Sequence, residues 1–321
     1  MNFVSRYLGP GLIERLNNLQ LSARRVVEGT ISGSHRSPVK GASIEFRQHR
    51  FYTAGDELRR LDWRVLARTD RPYIKEYDEE TNLRCVLMLD SSGSMAYAGD
   101  DSGATKGAEG SPAPSRPGVP RPGAAEPKFE YAARTVASLA YLMLGQTESV
   151  GLALFGTKVE RWLAPHAGTS QLSHLIDVLE RAVPRGQSNL GGAMQEVADR
   201  LERRSLVIAV SDAFAPVATI RQGLARLRHD RHETILLQVL HPDEVRFPFR
   251  RWSRFRGLEG ERARLCEPAL VRKVYLDNFR RHRLQLEETC RAAGAEFYSF
   301  QTDTPLMDSI TSFLHRRAAR T

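Results

Sequence analysis

Two apolar runs that each end on an aspartate constrain this chain more than any other feature. Residues 84–90 read Arg-Cys-Val-Leu-Met-Leu-Asp and residues 206–212 read Leu-Val-Ile-Ala-Val-Ser-Asp. A strand that is apolar at nearly every position must be covered on both faces, which is the condition of a central strand in a parallel sheet. After the first run, Phe129, Ala132, Ala133, Val136, Leu139, Ala140 and Met143 recur at helical spacing and predict a long helix with its stripe against that sheet. Strands at 149–155 and 159–163, joined by Gly156-Thr157-Lys158, read as an antiparallel edge pair. Helices are predicted at 169–183, 190–203, 217–229, 269–292 and 305–317, with strands at 206–211, 234–240 and 296–300. Strands alternating with helices in this way predict an α/β fold, with a doubly wound, mostly parallel sheet flanked by helices.

The first run leads directly into Asp90-Ser91-Ser92-Gly93-Ser94. A carboxylate and two hydroxyls at alternate positions of a strand end are oxygen donors of the kind Mg²⁺ or Mn²⁺ accepts. The same residues also make an ordinary polar turn, in which Asp and Ser bond their own backbone. Two distant segments bear on the choice: Arg185-Gly186-Gln187-Ser188-Asn189-Leu190 opens a helix, and the second apolar run ends in Asp212. In a doubly wound sheet, ligands sit beyond the carboxyl ends of the strands, where these three loops can meet. Ser188 stands just before a helix, so its hydroxyl is equally placed to cap that helix.

This constellation resembles the von Willebrand factor A fold with its metal-ion-dependent adhesion site. The resemblance implies that Asp90, Ser92, Ser94, Ser188 and Asp212 bind one divalent cation, Mg²⁺ or Mn²⁺, and that an acidic residue of a partner completes its shell. Ser188 occupies a position where that family usually has Thr, which keeps the hydroxyl and loses the methyl that fixes its rotamer. Upstream, Gly41-Ala42-Ser43-Ile44-Glu45-Phe46, Arg50-Phe51-Tyr52, Gly55-Asp56-Glu57-Leu58-Arg59, Leu61-Asp62-Trp63 and Ala67-Arg68 follow in an order similar to the bacterial von Willebrand A-like family catalogued as domain of unknown function 58. That resemblance, from about Gly29 onward, implies an adaptor of a MoxR-type AAA+ ATPase in protein assembly or remodelling.

Residues 1–82 are expected to form an amphipathic helix over 12–27 and an irregular extended layer, with short strands near 43–47 and 73–77, packing on a main domain at 83–321. Asp56, Arg59, Asp62 and Arg68 are expected to fix that layer through ion pairs or backbone bonds. Between 97 and 128 the sequence turns to Gly, Ala, Pro and Ser, which cannot bury enough apolar surface to fold, so a flexible insertion is expected beside the metal loop.

Cys85, Cys266 and Cys290 are odd in number and lack metal-ligand or redox spacing, so reduced thiols are expected. No apolar run approaches the roughly 18 residues of a membrane span, and no secretory core opens the chain, which predicts a cytoplasmic protein. The net charge of +9 favours acidic surfaces of any chemistry. It is densest at 246–256, Arg-Phe-Pro-Phe-Arg-Arg-Trp-Ser-Arg-Phe-Arg. That run could stack on single-stranded nucleic acid, or form a hairpin whose Phe and Trp pack inward while Arg faces solvent. A phosphoesterase using the metal loop is the enzymatic alternative. None of His166, His174, His229 or His241 stands in a recognisable catalytic setting, and no phosphate-cradling Gly-rich loop with Lys is present. The chain is therefore expected to be non-enzymatic, with no catalytic residue.

Overall fold

The computed structural model describes residues 6–17, 44–51, 63–69, 71–79, 83–99, 125–260 and 262–319. They fall into two compact units, one within 35–82 and the other comprising 6–17 with everything described from Leu83 onward. In the smaller unit, β1 (Ile44–Phe51) pairs antiparallel with β2 (Tyr73–Glu79), with a register shift between Phe46 and Gln48. A short helix, Trp63–Thr69, lies between them in sequence. Asp56, Arg59 and Asp62, expected to fix this layer, lie outside the described residues.

The larger unit is built on β3 (Arg84–Asp90), β4 (Ser149–Phe155), β5 (Val159–His166), β6 (Leu206–Ser211), β7 (Glu233–Leu240) and β10 (Glu296–Gln301). Their spatial order is β10-β7-β6-β3-β4-β5, and every pair is parallel except β4 with β5. The doubly wound, mostly parallel sheet predicted from the sequence is the one found. Connecting helices are α3 (Lys128–Leu144), α4 (Thr169–Arg181), α5 (Leu190–Arg200), α6 (Val217–His229), α8 (Pro268–Ala292) and α9 (Leu306–Ala318); α1 spans residues 10–17 and α2 is the Trp63–Thr69 helix.

Strand periodicity divides the core in two. Cys85, Leu87 and Leu89 of β3 join Leu206, Ile208 and Val210 of β6 under α3, α4 and α9. Val86 and Met88, with Val207 and Ala209, pack on the other face beneath α5, α6 and α8. Tyr7, Leu8 and Leu16 are buried in the first of these cores, so the described start of the predicted amphipathic helix is part of this unit; its continuation to residue 27 lies outside the described residues. Glycine sets the α5–α6 crossing: a Cβ on Gly191 would lie 2.1 Å from the Thr219 carbonyl oxygen.

The chain moves from β3 outward to β4 and β5, then returns to place β6 on the other side of β3. The carboxyl ends of β3 and β6 thus flank the switch in strand order, where open α/β sheets leave a crevice. Residues 100–124 of the expected insertion lie outside the described residues. Its neck is closed by the Lys128 amide donating to the Tyr97 carbonyl at 3.0 Å.

After β7 the chain departs from expectation. A short helix α7 (Pro242–Arg246), unforeseen in the sequence, is closed by a capping box in which the His241 ring accepts from the Asp243 amide and the Glu244 carboxylate accepts from the His241 amide. Pro at its start and Asp243 and Glu244 in its first turn are the signals that could have found it. An arm follows, with β8 (Ser253–Phe255) paired antiparallel to β9 (Arg264–Cys266). Its Phe residues pack together: the Phe247 ring lies 4.6 Å from Tyr275 and 5.7 Å from Phe255 between centroids. Arg250, Arg251, Arg254 and Arg256 are exposed. Trp252, expected to pack with the Phe residues, is 65% exposed instead.

Candidate metal centre

Register explains how the site assembles. Leu89 of β3 pairs with Val210 of β6, so the next residues, Asp90 and Ser211, lie abreast on the same face of the sheet. Ser211 Oγ donates to Asp90 Oδ2 at 2.6 Å. The same oxygen accepts from Ser188 Oγ at 2.8 Å, and Asp90 Oδ1 accepts from the Ser92 amide at 2.9 Å. Ser92 Oγ and Ser94 Oγ are 3.1 Å apart. Backbone bonds stitch the loops together: the Gly93 amide to the Gly186 carbonyl and the Arg185 amide to the Ser91 carbonyl, both 2.8 Å.

Asp90 is fully buried. That burial, reinforced by the nearby Asp212 charge, pushes its carboxyl up to about 6 against the lowering effect of the Ser211 and Ser92 donors. A carboxylate held so far from water, ringed by hydroxyls and with no cationic side chain among the described residues bonded to it, is a place where a hard cation would relieve an electrostatic cost. The donor set is entirely oxygen, which suits Mg²⁺ or Mn²⁺. Among the described residues no group of three or more His, Cys, Asp or Glu side chains gathers as a metal site, so binding here would depend on hydroxyl oxygens.

Asp212 behaves differently from the other four residues. It lies one position beyond Ser211, and its Oδ2 accepts from Lys128 Nζ at 2.8 Å while its Oδ1 receives the Phe214 amide at 3.4 Å. Lys128, the first residue of α3, also donates to Glu244 Oε1 at 2.6 Å. Its ammonium is buried, and although burial works against the charged form, Asp212 and Glu244 outweigh it and raise Lys128 to about 12. Ser92 and Ser188 therefore gather at Asp90 and Ser94 joins them through the Ser92 hydroxyl, while Asp212 sits beside them already ion-paired.

Ser188 is not the helix cap. Asn189 is, its side-chain oxygen accepting from the Gly192 amide, which leaves the Ser188 hydroxyl for Asp90. Sequence reasoning missed Ser211, Lys128 and Glu244. Strand alternation could have found Ser211; nothing local marked Lys128 or Glu244 as partners.

The arm closes one side of the site. A Cβ on Gly93 would lie 2.0 Å from the Leu258 carbonyl oxygen, so only glycine admits this approach.

Comparison with known proteins decides the family. The family described as "Protein of unknown function DUF58" matches residues 48–108 and 122–285, more than half of the chain. The chain belongs to the DUF58 family. The break in the DUF58 match falls within the Gly/Pro/Ala-rich stretch, and the doubly wound, mostly parallel α/β sheet expected from the sequence is the one observed. Similar proteins include the uncharacterised Mb1516 of Mycobacterium bovis and Rv1480 of Mycobacterium tuberculosis, each 26% identical over 96% of this chain and 90% of the relative. Among solved structures it is similar to BatB from Bacteroides thetaiotaomicron, with a TM-score of 0.47 at 13% identity over 75% of this chain and 100% of that one. The SpRpn10 VWA domain aligns with a TM-score of 0.39 at 11% identity over 72% of this chain and 94% of that domain. Among the described residues no helix is long and apolar enough to cross a membrane.

Proposed function

We propose that this DUF58 protein is a non-enzymatic interaction module that binds its partner through a divalent cation, Mg²⁺ or Mn²⁺, held by Asp90, Ser92, Ser94 and Ser188 with Asp212 beside them. The observation that carries this reading is the buried Asp90 carboxylate, which receives three hydrogen bonds from three separate segments of chain at the switch in strand order. Asp90 and the Ser92 and Ser94 hydroxyls supply one side of a cation's shell. A carboxylate from a partner would supply another.

Charge supports an acidic partner. The chain carries +9, and the arm that approaches Gly93 bears Arg250, Arg251, Arg254 and Arg256 exposed to solvent. Such a rim draws in an acidic surface and speeds encounter. In line with the family resemblance, we take the partner to be a MoxR-type AAA+ ATPase and the work to be protein assembly or remodelling. Cys85, Cys266 and Cys290 are all free thiols, which suits a cytoplasmic setting.

The test is capture of the MoxR-type ATPase encoded nearest the gene, in Mg²⁺ and in EDTA, with wild-type protein and with Asp90→Ala. The proposal expects binding in Mg²⁺ that is lost in EDTA and in the variant. Equal affinity in all four cases would remove the metal bridge.

A further inference from the structure

We infer that Lys128 is a built-in cation of this site, which withholds Asp212 from an incoming metal ion and keeps the site's intrinsic divalent affinity low. The inference rests on the metal-binding reading above and adds a determinant lying outside the metal loop.

The ammonium is fixed from several directions. Nζ lies 2.8 Å from Asp212 Oδ2 and 2.6 Å from Glu244 Oε1, with the Lys128 side chain 1% exposed. The Phe214 ring covers it at 5.4 Å from its centroid. Its backbone amide is held by the Tyr97 carbonyl. Glu244 in turn is held by the His241 amide in the α7 capping box, and Asp212 receives the Phe214 amide.

A metal ion beside Asp90 would feel this fixed positive charge at close range, in surroundings that screen it poorly. It would also find Asp212 Oδ2 occupied. Direct use of that oxygen would require breaking a buried charge pair, and an ammonium stripped of one partner there is costly. Asp212 can therefore act on the metal only through its remaining oxygen or an intervening water. Affinity would then depend on the carboxylate that a partner brings. Neutralising Lys128 reverses the balance, because the buried Asp90 and Asp212 and the part-buried Glu244 become three carboxylates without an internal counter-charge.

The experiment is Mn²⁺ titration of the full chain by calorimetry, using wild type, Lys128→Met, Lys128→Met/Glu244→Gln and Lys128→Arg. The double variant removes one of the two carboxylates that would otherwise be stranded, which guards against misfolding. Both Met variants are expected to bind Mn²⁺ at least about tenfold more tightly than wild type, with a larger Mn²⁺-induced rise in Tm. Lys128→Arg keeps the charge and should stay near the wild-type affinity. Native circular dichroism with unchanged or weaker Mn²⁺ binding in the Met variants would overturn the inference and leave Lys128 a structural tie, while wild-type binding would keep the metal reading intact. Absence of Mn²⁺ binding in all four proteins would sink both, a pattern distinct from the first.

Discussion

Ser188 Oγ donates to Asp90 Oδ2 across 98 residues of sequence, while its neighbour Asn189 caps the helix that follows. Two adjacent side chains thus divide two jobs that the sequence left assigned to one. Ser188→Ala should weaken Mn²⁺ binding with little change in thermal stability. Asn189→Ala should cost about 1 kcal/mol of stability and leave Mn²⁺ affinity near wild type. Calorimetry and thermal melts of both variants check the division; a common effect of the two substitutions would contradict it.

Gly93 lets the arm carbonyl of Leu258 rest against the metal loop, where a Cβ would lie 2.0 Å from that oxygen and 3.2 Å from the Gly186 oxygen. Both obstacles are backbone, so Gly93→Ala must displace the arm or the loop. A loss of about 1–3 kcal/mol is expected, together with faster trypsin cleavage at the exposed arm arginines. Unaltered melting and cleavage would show that the contact is dispensable.

Glu148, immediately before β4 and away from the site, has its carboxyl pushed up to about 7 by burial, with the Leu83 backbone working in the opposite direction. Its Oε2 has no hydrogen-bond partner among the described residues. The folded state therefore binds this proton more tightly than the unfolded chain, and stability falls as pH rises from about 4.5 to about 7. After allowance for partial exposure the loss from this group is about 1 kcal/mol. Denaturant melts across that range should show a shallower decline in Glu148→Gln; an identical slope would exclude this origin.

How much of this was legible in sequence follows from where each signal resides. The runs ending at Asp90 and Asp212 carried their own burial pattern, so their central place in the sheet could be read from composition alone. Ser92, Ser94 and Ser188 were marked by spacing and by resemblance; in the structure Ser92 and Ser188 bond Asp90, and Ser94 bonds Ser92. Lys128 and Glu244 were invisible because their meaning is tertiary: one opens a helix after a low-complexity stretch and the other lies in a five-residue helix, and they meet across 116 residues of chain. Trp252 was expected to pack with Phe247, Phe249 and Phe255, yet strand alternation in the short β8–β9 pair does not reach it and it stands in solvent.

Cation binding at Asp90 is the central claim, and the decisive measurement is electron paramagnetic resonance of free Mn²⁺ titrated with the protein. It predicts one saturable site per chain, displaced by Mg²⁺ and lost in Asp90→Asn. Free Mn²⁺ unchanged by millimolar protein, or depleted equally by wild type and Asp90→Asn, would contradict it.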